Sequence, residues 1–292
     1  MGEWVRSYKV HVPKNYDADR ATPVVLAYHG LGMNAKMMEG LSGLSETADR
    51  HGFIVVYPNG QGALNLRFWN AGGIRGAARF FAQDDIAFTR RALDDLATVA
   101  NVDSRRVYAA GMSNGGMLCY CLASEMADRL AAVASVGGLM ATEKANPSRP
   151  VPLLHFHGLE DRIVLVSGST GHEPGDVRFY SLKETIAAWV RANGASPTAI
   201  VIRLPDTQDD GTTVVRKRYP AQVSETRRSA PVVLYEITGG GHTWPGQPSP
   251  QPALLGRSTR DIDGGDMMWR FFRILTAGRG DEERTRRIAA SP

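Results

Sequence analysis

The stretch Gly111-Met112-Ser113-Asn114-Gly115 is the one G-x-S-x-G pattern in the chain. It lies between an apolar run at Val107–Ala110 and a helix-like segment that starts at Gly116. A strand that ends here, followed by a sharp reversal and a helix, would present the Ser113 hydroxyl at the carboxyl end of the strand, above the helix N-terminus. Glycines suit the flanking positions because such a turn has no room for side chains. The pattern alone is weak evidence, so its context and partners have to support the interpretation.

Strand-like and helix-like runs alternate on both sides of this pattern. Several of the strand-like runs are apolar at nearly every position, which is typical of strands covered on both faces. The alternation predicts an α/β fold, with a mostly parallel central sheet flanked by helices. The opening strands and the run at Thr213–Tyr219 are candidates for antiparallel pairing. The predicted strands are Val5–Val12, Val24–Tyr28, Phe53–Tyr57, Val107–Ala110, Ala131–Val136, Leu153–His157, Ile200–Leu204, Thr213–Tyr219 and Val232–Ile237, and the predicted helices are Gly40–His51, Asp84–Ala100, Asn114–Met126, Val177–Asn193 and Ile262–Ala277.

The 292 residues are enough to bury a large core, and no low-complexity linker or repeat divides them. We expect a single domain over residues 1–277. Residues 278–292 are charged and lack apolar periodicity, so we expect a frayed tail there. About fourteen residues separate the strand ending at Val136 from the next one near Pro150, which leaves no room for a large lid over a cleft.

Charge and hydropathy argue against two classes of partner. The chain has 34 basic and 30 acidic residues, a formal net charge of +4, and they are spread along the sequence apart from small basic groups at 216–218 and 227–228. We therefore expect no nucleic-acid partner. No apolar stretch has the length of a membrane span, and the first residues lack the features of a leader, so we expect a soluble chain without a membrane partner. A leader removed beforehand would make the natural protein a secreted one, which leaves its location open.

The two cysteines, Cys119 and Cys121, lie two residues apart on a predicted helix. Their side chains would point to nearly opposite faces of that helix and could not easily form a disulfide. No further cysteine or nearby histidine completes a metal site, so we expect both to pack in the core.

A serine hydroxyl is a poor nucleophile at neutral pH, so Ser113 would need an imidazole to take its proton and a carboxylate to orient that imidazole. Two downstream strand ends offer these groups. Asp161 follows the predicted strand Leu153–His157, and His242 follows Val232–Ile237 in a glycine-rich loop. Each candidate lies just past the carboxyl end of a strand, where sheets of this type bind ligands. The candidate catalytic residues are therefore Ser113, Asp161 and His242.

Each of these candidates has a rival interpretation. Ser113 could simply cap the helix that follows it, and Glu160 competes directly with Asp161. A glycine-rich loop favours His242 over the six other histidines, because backbone freedom would bring it to the serine. Three of the others lie in or beside buried strands, and three lie where a solvated role is expected: His29, His155 and His157, then His11, His51 and His172.

Acyl transfer would place negative charge on the former carbonyl oxygen, which backbone N–H groups can stabilise. The amide of Asn114, directly after the candidate nucleophile, is one expected donor. The loop His29-Gly30-Leu31-Gly32 follows the predicted strand Val24–Tyr28, and we expect the Leu31 amide to be the second donor. The same loop could be only a tight strand-to-helix turn, since such turns are rich in glycine.

Aromatic residues near these loops are candidates for substrate contacts. Trp244 directly follows His242 and would lie near the cleft, while Trp69 could equally pack in the core. The pair Asp84-Asp85 begins a predicted helix, where negative charge offsets the helix dipole, so we expect capping rather than metal binding. Neither a metal ion nor an organic cofactor is expected.

With these residues in place, the chain resembles the polyhydroxybutyrate-depolymerase and feruloyl-esterase-like group of α/β-hydrolases, which is related to family 1 carbohydrate esterases. The resemblance implies an α/β-hydrolase fold and an esterase that is secreted or in the cell envelope in many members. It also implies that Ser113, Asp161 and His242 form the catalytic triad. The matching blocks, in chain order, are Arg6–Pro13, His29–Gly32, Tyr57–Gly60, Trp69-Asn70, Asp84–Phe88, Val102-Asp103, Val107-Tyr108, Gly111–Met117, His157–Asp161 and Gly240–Gly246.

The candidate residues predict a serine carboxylic-ester hydrolase that acts through an acyl-enzyme, and the resemblance implies hydroxycinnamoyl, short-chain or hydroxyalkanoate esters as its substrates. The segment Gln251–Asp261 does not match the pattern of the group, and no polymer-binding module is appended. We thus expect a small-molecule or oligomeric ester as substrate rather than insoluble polymer. Peptidase or acyltransferase activity on the same triad, and a hydrolase fold that only binds, are the alternatives.

Overall fold

Nine strands form one sheet in the computed structural model, which describes residues 5–62, 67–73, 83–169, 177–224, 226 and 228–277. The strands are β1 (Tyr8–His11), β2 (Thr22–Tyr28), β3 (Ile54–Pro58), β4 (Val102–Met112), β5 (Ala132–Val136), β6 (Leu153–Gly158), β7 (Ile200–Arg203), β8 (Thr213–Tyr219) and β9 (Val232–Thr238). Their order across the sheet is β1-β3-β2-β4-β5-β6-β9-β8-β7. The tail at 278–292, where we expected fraying, lies outside the described residues.

The centre of the sheet is parallel, as the alternation of strands and helices predicts. Strands β3, β2, β4, β5, β6 and β9 pair in parallel, while β1, β8 and β7 add antiparallel edges. All nine predicted strands are present. Strands β1 and β8 pair antiparallel as expected, whereas β2, the second of the opening strands, pairs in parallel with β3 and β4. Strands β2, β3 and β5 bury every residue. Their continuous apolar sequences therefore reflect contact with helices on both faces.

Seven helices accompany this sheet within the described ranges: α1 (Ala35–Ser42), α2 (Leu44–His51), α3 (Asp85–Val99), α4 (Asn114–Glu125), α5 (Leu182–Ala192), α6 (Pro252–Leu255) and α7 (Gly264–Phe272). The single helix predicted at Gly40–His51 is in fact the end of α1 and the whole of α2. Gly43 separates them, because its φ of +61° ends α1 and turns the chain into α2. The sequence did not predict α6, which lies in the unmatched segment Gln251–Asp261.

Alternate residues of the central strands enter two hydrophobic cores, one on each face of the sheet. In β2, Val24 and Leu26 join a core with α3, α4 and α5, while Val25 and Ala27 join a core with α1, α2 and α7. Burying one large apolar side chain stabilises the fold by roughly 1.5–3 kcal/mol. The two free cysteines of α4 belong to the first core, as the sequence predicted.

The parallel register gathers the candidate site at one edge of the sheet. Strands β4, β5, β6 and β9 are adjacent and end side by side. Ser113 follows β4, Asp161 follows β6, and His242 follows β9. Within the part of the chain that the structure describes, no helix combines the length and apolarity needed to cross a bilayer.

Candidate active site

Ser113 occupies the sharp junction between β4 and α4, with φ +56° and ψ −121°. It is the one non-glycine residue with a positive φ among the described residues. Its N–H donates to the carbonyl of Val136 at the end of β5, at 2.8 Å. A Cβ at Gly115 would overlap the backbone of Tyr28, and one at Gly111 would overlap Gly115 itself. Close backbone packing therefore requires both flanking glycines, and the strained serine is held by its surroundings.

Asp161 is buried, and its carboxylate accepts three hydrogen bonds. Oδ1 accepts from the backbone N–H groups of Ile163 and Val164, both at 2.8 Å. Oδ2 lies 2.6 Å from Nδ1 of His242. Because an ionised carboxylate only accepts, the proton of this contact is on Nδ1. The neighbouring Glu160 is exposed, so the geometry favours Asp161 over its rival.

Close packing against the α6 segment holds His242 in place. The backbone N–H of His242 donates to the carbonyl of Leu255 at 2.6 Å, and the N–H of Gly241 donates to Arg257 at 2.9 Å. A Cβ at Gly241 would overlap the Leu255 carbonyl. We expected this glycine run to provide backbone freedom, but the structure shows that it allows close approach to α6. The segment that matched no family pattern thus supports the histidine.

Ser113 and His242 both contact the end of β5. Ser113 is hydrogen-bonded to Val136, and the imidazole of His242 lies against Gly137, where an added Cβ would stand 3.0 Å from Nδ1. Among the described residues, neither Ser113 Oγ nor His242 Nε2 makes a hydrogen bond. The structure therefore contains the Asp–His link of the predicted triad but not the Ser–His link. Such catalytic contacts are often long in proteins without substrate and tighten when substrate binds.

Two backbone amides near Ser113 have no acceptor among the described residues. The loop 29–32 packs on the serine so closely that a Cβ at Gly30 would lie 3.4 Å from Ser113 Cβ. The amides of Leu31 and Asn114 have no backbone or side-chain acceptor in the described part of the chain, whereas the next amide in the loop, of Gly32, is hydrogen-bonded. Donors left unpaired next to a nucleophile suit a developing oxyanion.

A neutral histidine supports this loop from inside. Nδ1 of His29 lies 2.7 Å from the carbonyl of Gly30, and the N–H of Gly60 donates to Nε2 at 2.9 Å. The proton of the ring is therefore on Nδ1. Burial lowers the pKa of His29 to about 4, so the ring stays neutral near pH 7. The structural role expected for His29 is confirmed.

Trp69 and Trp244 were candidates for substrate contacts, with core packing the alternative for Trp69, and both side chains are buried in the two cores. Nε1 of Trp69 donates to the carbonyl of His29 at 2.8 Å. Its backbone exchanges two hydrogen bonds with the side chain of Asn114, at 2.7 and 3.2 Å. Burial of these two rings stabilises the fold, because it removes their large apolar surface from water. Trp69 thus fixes the loop at 29–32 to the start of α4.

The role of Asp85 could not be predicted from the sequence. Asp84 caps α3 as expected. Asp85, in contrast, is buried and accepts from the backbone N–H of Asn70 and from the guanidinium of Arg6, both at 2.7 Å. Burial raises the pKa of the Asp85 carboxyl, and the Arg6 charge acts against this shift. The pair joins α3 to the segment that carries Trp69.

The four other histidines in the described part of the chain lie where the sequence placed them. His11 and His51 each contact a surface aspartate and are partly exposed. His155 and His157 are fully buried in β6. His172 lies outside the described residues.

The sheet, the strained serine and the Asp–His pair place the chain in the α/β-hydrolase class. The chain belongs to the esterase PHB depolymerase family, whose sequence model matches residues 6–174. The predicted resemblance is thereby confirmed.

Two relatives agree with this assignment, and one solved structure shares the fold. The chain is 33% identical over 274 residues to "Putative esterase NocK" of Nocardia uniformis subsp. tsuyamanensis, covering 89% of this chain and 77% of that protein. It is 31% identical over 198 residues to feruloyl esterase B of Piromyces equi, covering 65% of this chain but 36% of that protein. The fold is similar to that of an acetyl xylan esterase from Aspergillus awamori, with TM-score 0.60, 15% identity and coverage of 91% and 93% of the two chains.

Proposed function

We propose that the chain hydrolyses carboxylic esters through a covalent acyl-enzyme on Ser113. The observation that carries this proposal is the 2.6 Å contact between His242 Nδ1 and Asp161 Oδ2. With the proton on Nδ1, the Nε2 atom of His242 has a free lone pair that can accept a proton. The ring lies against the end of β5, where Ser113 is also bound and adopts a positive φ. The arrangement supplies a nucleophile, a base and a group that orients the base.

In the first half of the reaction, Ser113 Oγ attacks the ester carbonyl carbon and its proton moves to Nε2 of His242. The carbonyl oxygen becomes an oxyanion, which accepts hydrogen bonds from the amides of Leu31 and Asn114. One such donor contributes about 3 kcal/mol to the transition state. The tetrahedral intermediate then collapses, the bond to the alcohol oxygen breaks, and His242 gives its proton to the leaving alcohol.

Water completes the cycle. His242 takes a proton from a water molecule, whose oxygen attacks the acyl carbon. The bond to Ser113 Oγ breaks as the proton returns to that oxygen, which releases the carboxylic acid. Asp161 remains ionised throughout and stabilises the imidazolium that forms twice in each cycle.

Exposed apolar side chains in the loops that carry or support the candidate catalytic groups favour an apolar acyl or alcohol portion. Leu31 follows the glycine that packs on Ser113, Ile163 and Leu165 lie in the Asp161 loop, and Leu254 precedes the residue that binds the His242 backbone. These side chains suit small or oligomeric esters of hydroxycinnamoyl, short-chain or hydroxyalkanoate acids. The names of two relatives, a feruloyl esterase and an acetylxylan esterase/xylanase, agree with this range.

The test compares hydrolysis of p-nitrophenyl butyrate, methyl ferulate and hydroxybutyrate oligomers by the wild-type chain and by Ser113→Ala. We expect kcat to fall by roughly 10⁴-fold or more in Ser113→Ala. The matched control is Ser196→Ala, a partly buried loop serine whose hydroxyl donates to the carbonyl of Thr198, and it should retain the wild-type rate. Equal rates in the wild-type chain and Ser113→Ala would refute the mechanism, and products formed with added alcohol would reveal acyl transfer.

A further inference from the structure

A chain of buried hydrogen bonds leads to the candidate site and has no part in the reaction described above. The hydroxyl of Tyr120 lies 2.6 Å from Nδ1 of His155, and Nε2 of His155 lies 3.1 Å from Nδ1 of His157. Nε2 of His157 lies 2.9 Å from the carbonyl oxygen of Val164. The three side chains are at most 1% exposed. Each polar group in this chain therefore depends on its neighbour, because water cannot replace a lost partner.

The carbonyl of Val164 fixes the direction of the three hydrogen bonds that join Tyr120, His155, His157 and Val164. A carbonyl oxygen only accepts, so Nε2 of His157 carries the proton and its Nδ1 carries a lone pair. That lone pair accepts from Nε2–H of His155, whose Nδ1 in turn accepts from the Tyr120 hydroxyl. Burial lowers the pKa of both histidines and raises the pKa of Tyr120, so the groups remain neutral. One tautomer of each ring satisfies the whole chain.

Three ionisable groups of the described residues face this chain. The thiol of Cys119 lies near Tyr120, and burial raises its pKa, so it is neutral. At the other end, Oδ2 of Asp161 lies 3.8 Å from Nε2 of His157 and 2.6 Å from Nδ1 of His242. A charged His157 would compete with His242 for this carboxylate. A neutral His157 leaves the charge of Asp161 to His242.

This row of hydrogen bonds connects the elements that carry the candidate catalytic residues. Tyr120 is on α4, which begins directly after Ser113, and the two histidines are on β6. Val164 lies in the loop that carries Asp161. Its N–H donates to Oδ1 of Asp161 at 2.8 Å while its carbonyl accepts from His157. The backbone of Val164 is thus held at both ends, and its position determines that of the Asp161 carboxylate.

We propose that Tyr120, His155 and His157 are positioning residues for ester hydrolysis: their chain fixes the Asp161 loop against the helix of Ser113 and so holds His242 with its proton on Nδ1. The proposal rests on the proposed function, in which that tautomer accepts the serine proton. It extends that function to three buried side chains that do not touch the reacting atoms.

The kinetic test compares two substitutions at the same position. His157→Leu removes the donor to Val164, whereas His157→Gln retains an amide N–H that can replace it. We expect kcat to fall about 10- to 100-fold in His157→Leu with KM within about twofold of wild type, and to recover largely in His157→Gln. Rates are divided by the amount of protein that a fluorophosphonate labels at Ser113, which removes the effect of unfolded protein.

A merely structural role gives a different result. Both variants would then unfold at lower urea concentration, but kcat per labelled molecule would equal that of wild type, which would overturn the proposal. Tyr120→Phe, which keeps the ring and removes only the first donor, provides a milder variant with the same expected direction. If Ser113→Ala retains activity, the proposed function fails, whatever the result at His157.

A spectroscopic test on the wild-type chain does not depend on activity. Imidazole ¹⁵N NMR should show His155 and His157 as neutral Nε2–H tautomers and His242 as Nδ1–H, with the first two unchanged between about pH 7 and about pH 8.5. The signals are assigned by their loss in His155→Gln and His157→Gln. An Nδ1–H tautomer or a titration at either buried histidine would overturn the proposed chain.

Discussion

The imidazole of His242 lies directly on the backbone of Gly137, at the end of the strand that also binds the Ser113 amide. A Cβ built at Gly137 would stand 3.0 Å from Nδ1 and 3.2 Å from Cε1 of His242, and the φ of Gly137 is +55°. The next residue, Gly138, leaves no space for a Cβ against the Ser113 carbonyl. Two successive glycines thus let the histidine and the serine approach the same strand end.

Gly137→Ala should displace the His242 ring and lower kcat by roughly 100-fold, because a shift of about 1 Å in a catalytic group has an effect of that order. Steady-state kinetics on p-nitrophenyl butyrate measure this. Gly194→Ala is the matched control, since Gly194 has a similar φ of +58° but only ordinary contacts at 3.7 Å. Equal loss of kcat in both variants would show that backbone strain, not displacement of His242, explains the effect.

Ser113→Gly should be more stable than Ser113→Ala by about 1 kcal/mol, although both are inactive. Glycine adopts a positive φ without the steric strain of a Cβ, whereas alanine retains that strain. At ordinary helix or strand positions a glycine variant is less stable than an alanine variant. A more stable Ser113→Gly would therefore indicate strain at this position. Urea unfolding of the two variants gives the comparison. A more stable Ser113→Ala would contradict the view that the junction stores strain.

The fold should lose stability in mild acid because His29 is buried in its neutral form. Its pKa falls from 6.5 to about 4 on folding, so the unfolded chain binds a proton more readily between these values. This contribution is fully present above about pH 6.5 and is lost as the pH falls to about 4, by up to about 3 kcal/mol. His155 and His157 shift in the same direction.

Urea unfolding at several pH values between these limits, in wild type and His29→Gln, measures this effect. The variant cannot take up the proton at position 29, so its unfolding free energy should fall less steeply with decreasing pH. Parallel curves for the two proteins would mean that His29 does not contribute.

Most of the sheet could be predicted from sequence because its strands are continuous apolar runs separated by amphipathic segments. The break between α1 and α2 was missed, since Gly43 lies within a pattern that is otherwise helical, and only its positive φ reveals the turn. The short helix α6 was missed for another reason. Its four residues bury no side chain, so no apolar periodicity marks it.

The three candidate catalytic residues could be predicted from the sequence because each of them follows the end of a predicted strand. Ser113, Asp161 and His242 share that position, which the parallel register converts into proximity. Contacts between distant elements could not be predicted, such as Tyr120 with His155, because no local pattern distinguishes a hydrogen-bonded core histidine from any other. The burial of Trp69 likewise depends on the packing of its surrounding loops.

Removing the Arg6 charge should destabilise the protein by about 3–5 kcal/mol, because the buried Asp85 carboxylate would lose its cation. Burial already raises the pKa of Asp85 and Arg6 opposes that shift, so the pKa should rise further in Arg6→Met. A carboxyl with a raised pKa disfavours the folded state once it ionises. The loss of stability in Arg6→Met should therefore be larger at about pH 8 than at about pH 5.

The double variant Arg6→Met/Asp85→Asn should recover part of the stability. The control Arg129→Met, which breaks a surface pair with Asp94, should change the stability by less than about 1 kcal/mol. Urea unfolding at the two pH values decides the question, and a loss independent of pH would show that Arg6 acts through its packing on Phe88 rather than its charge.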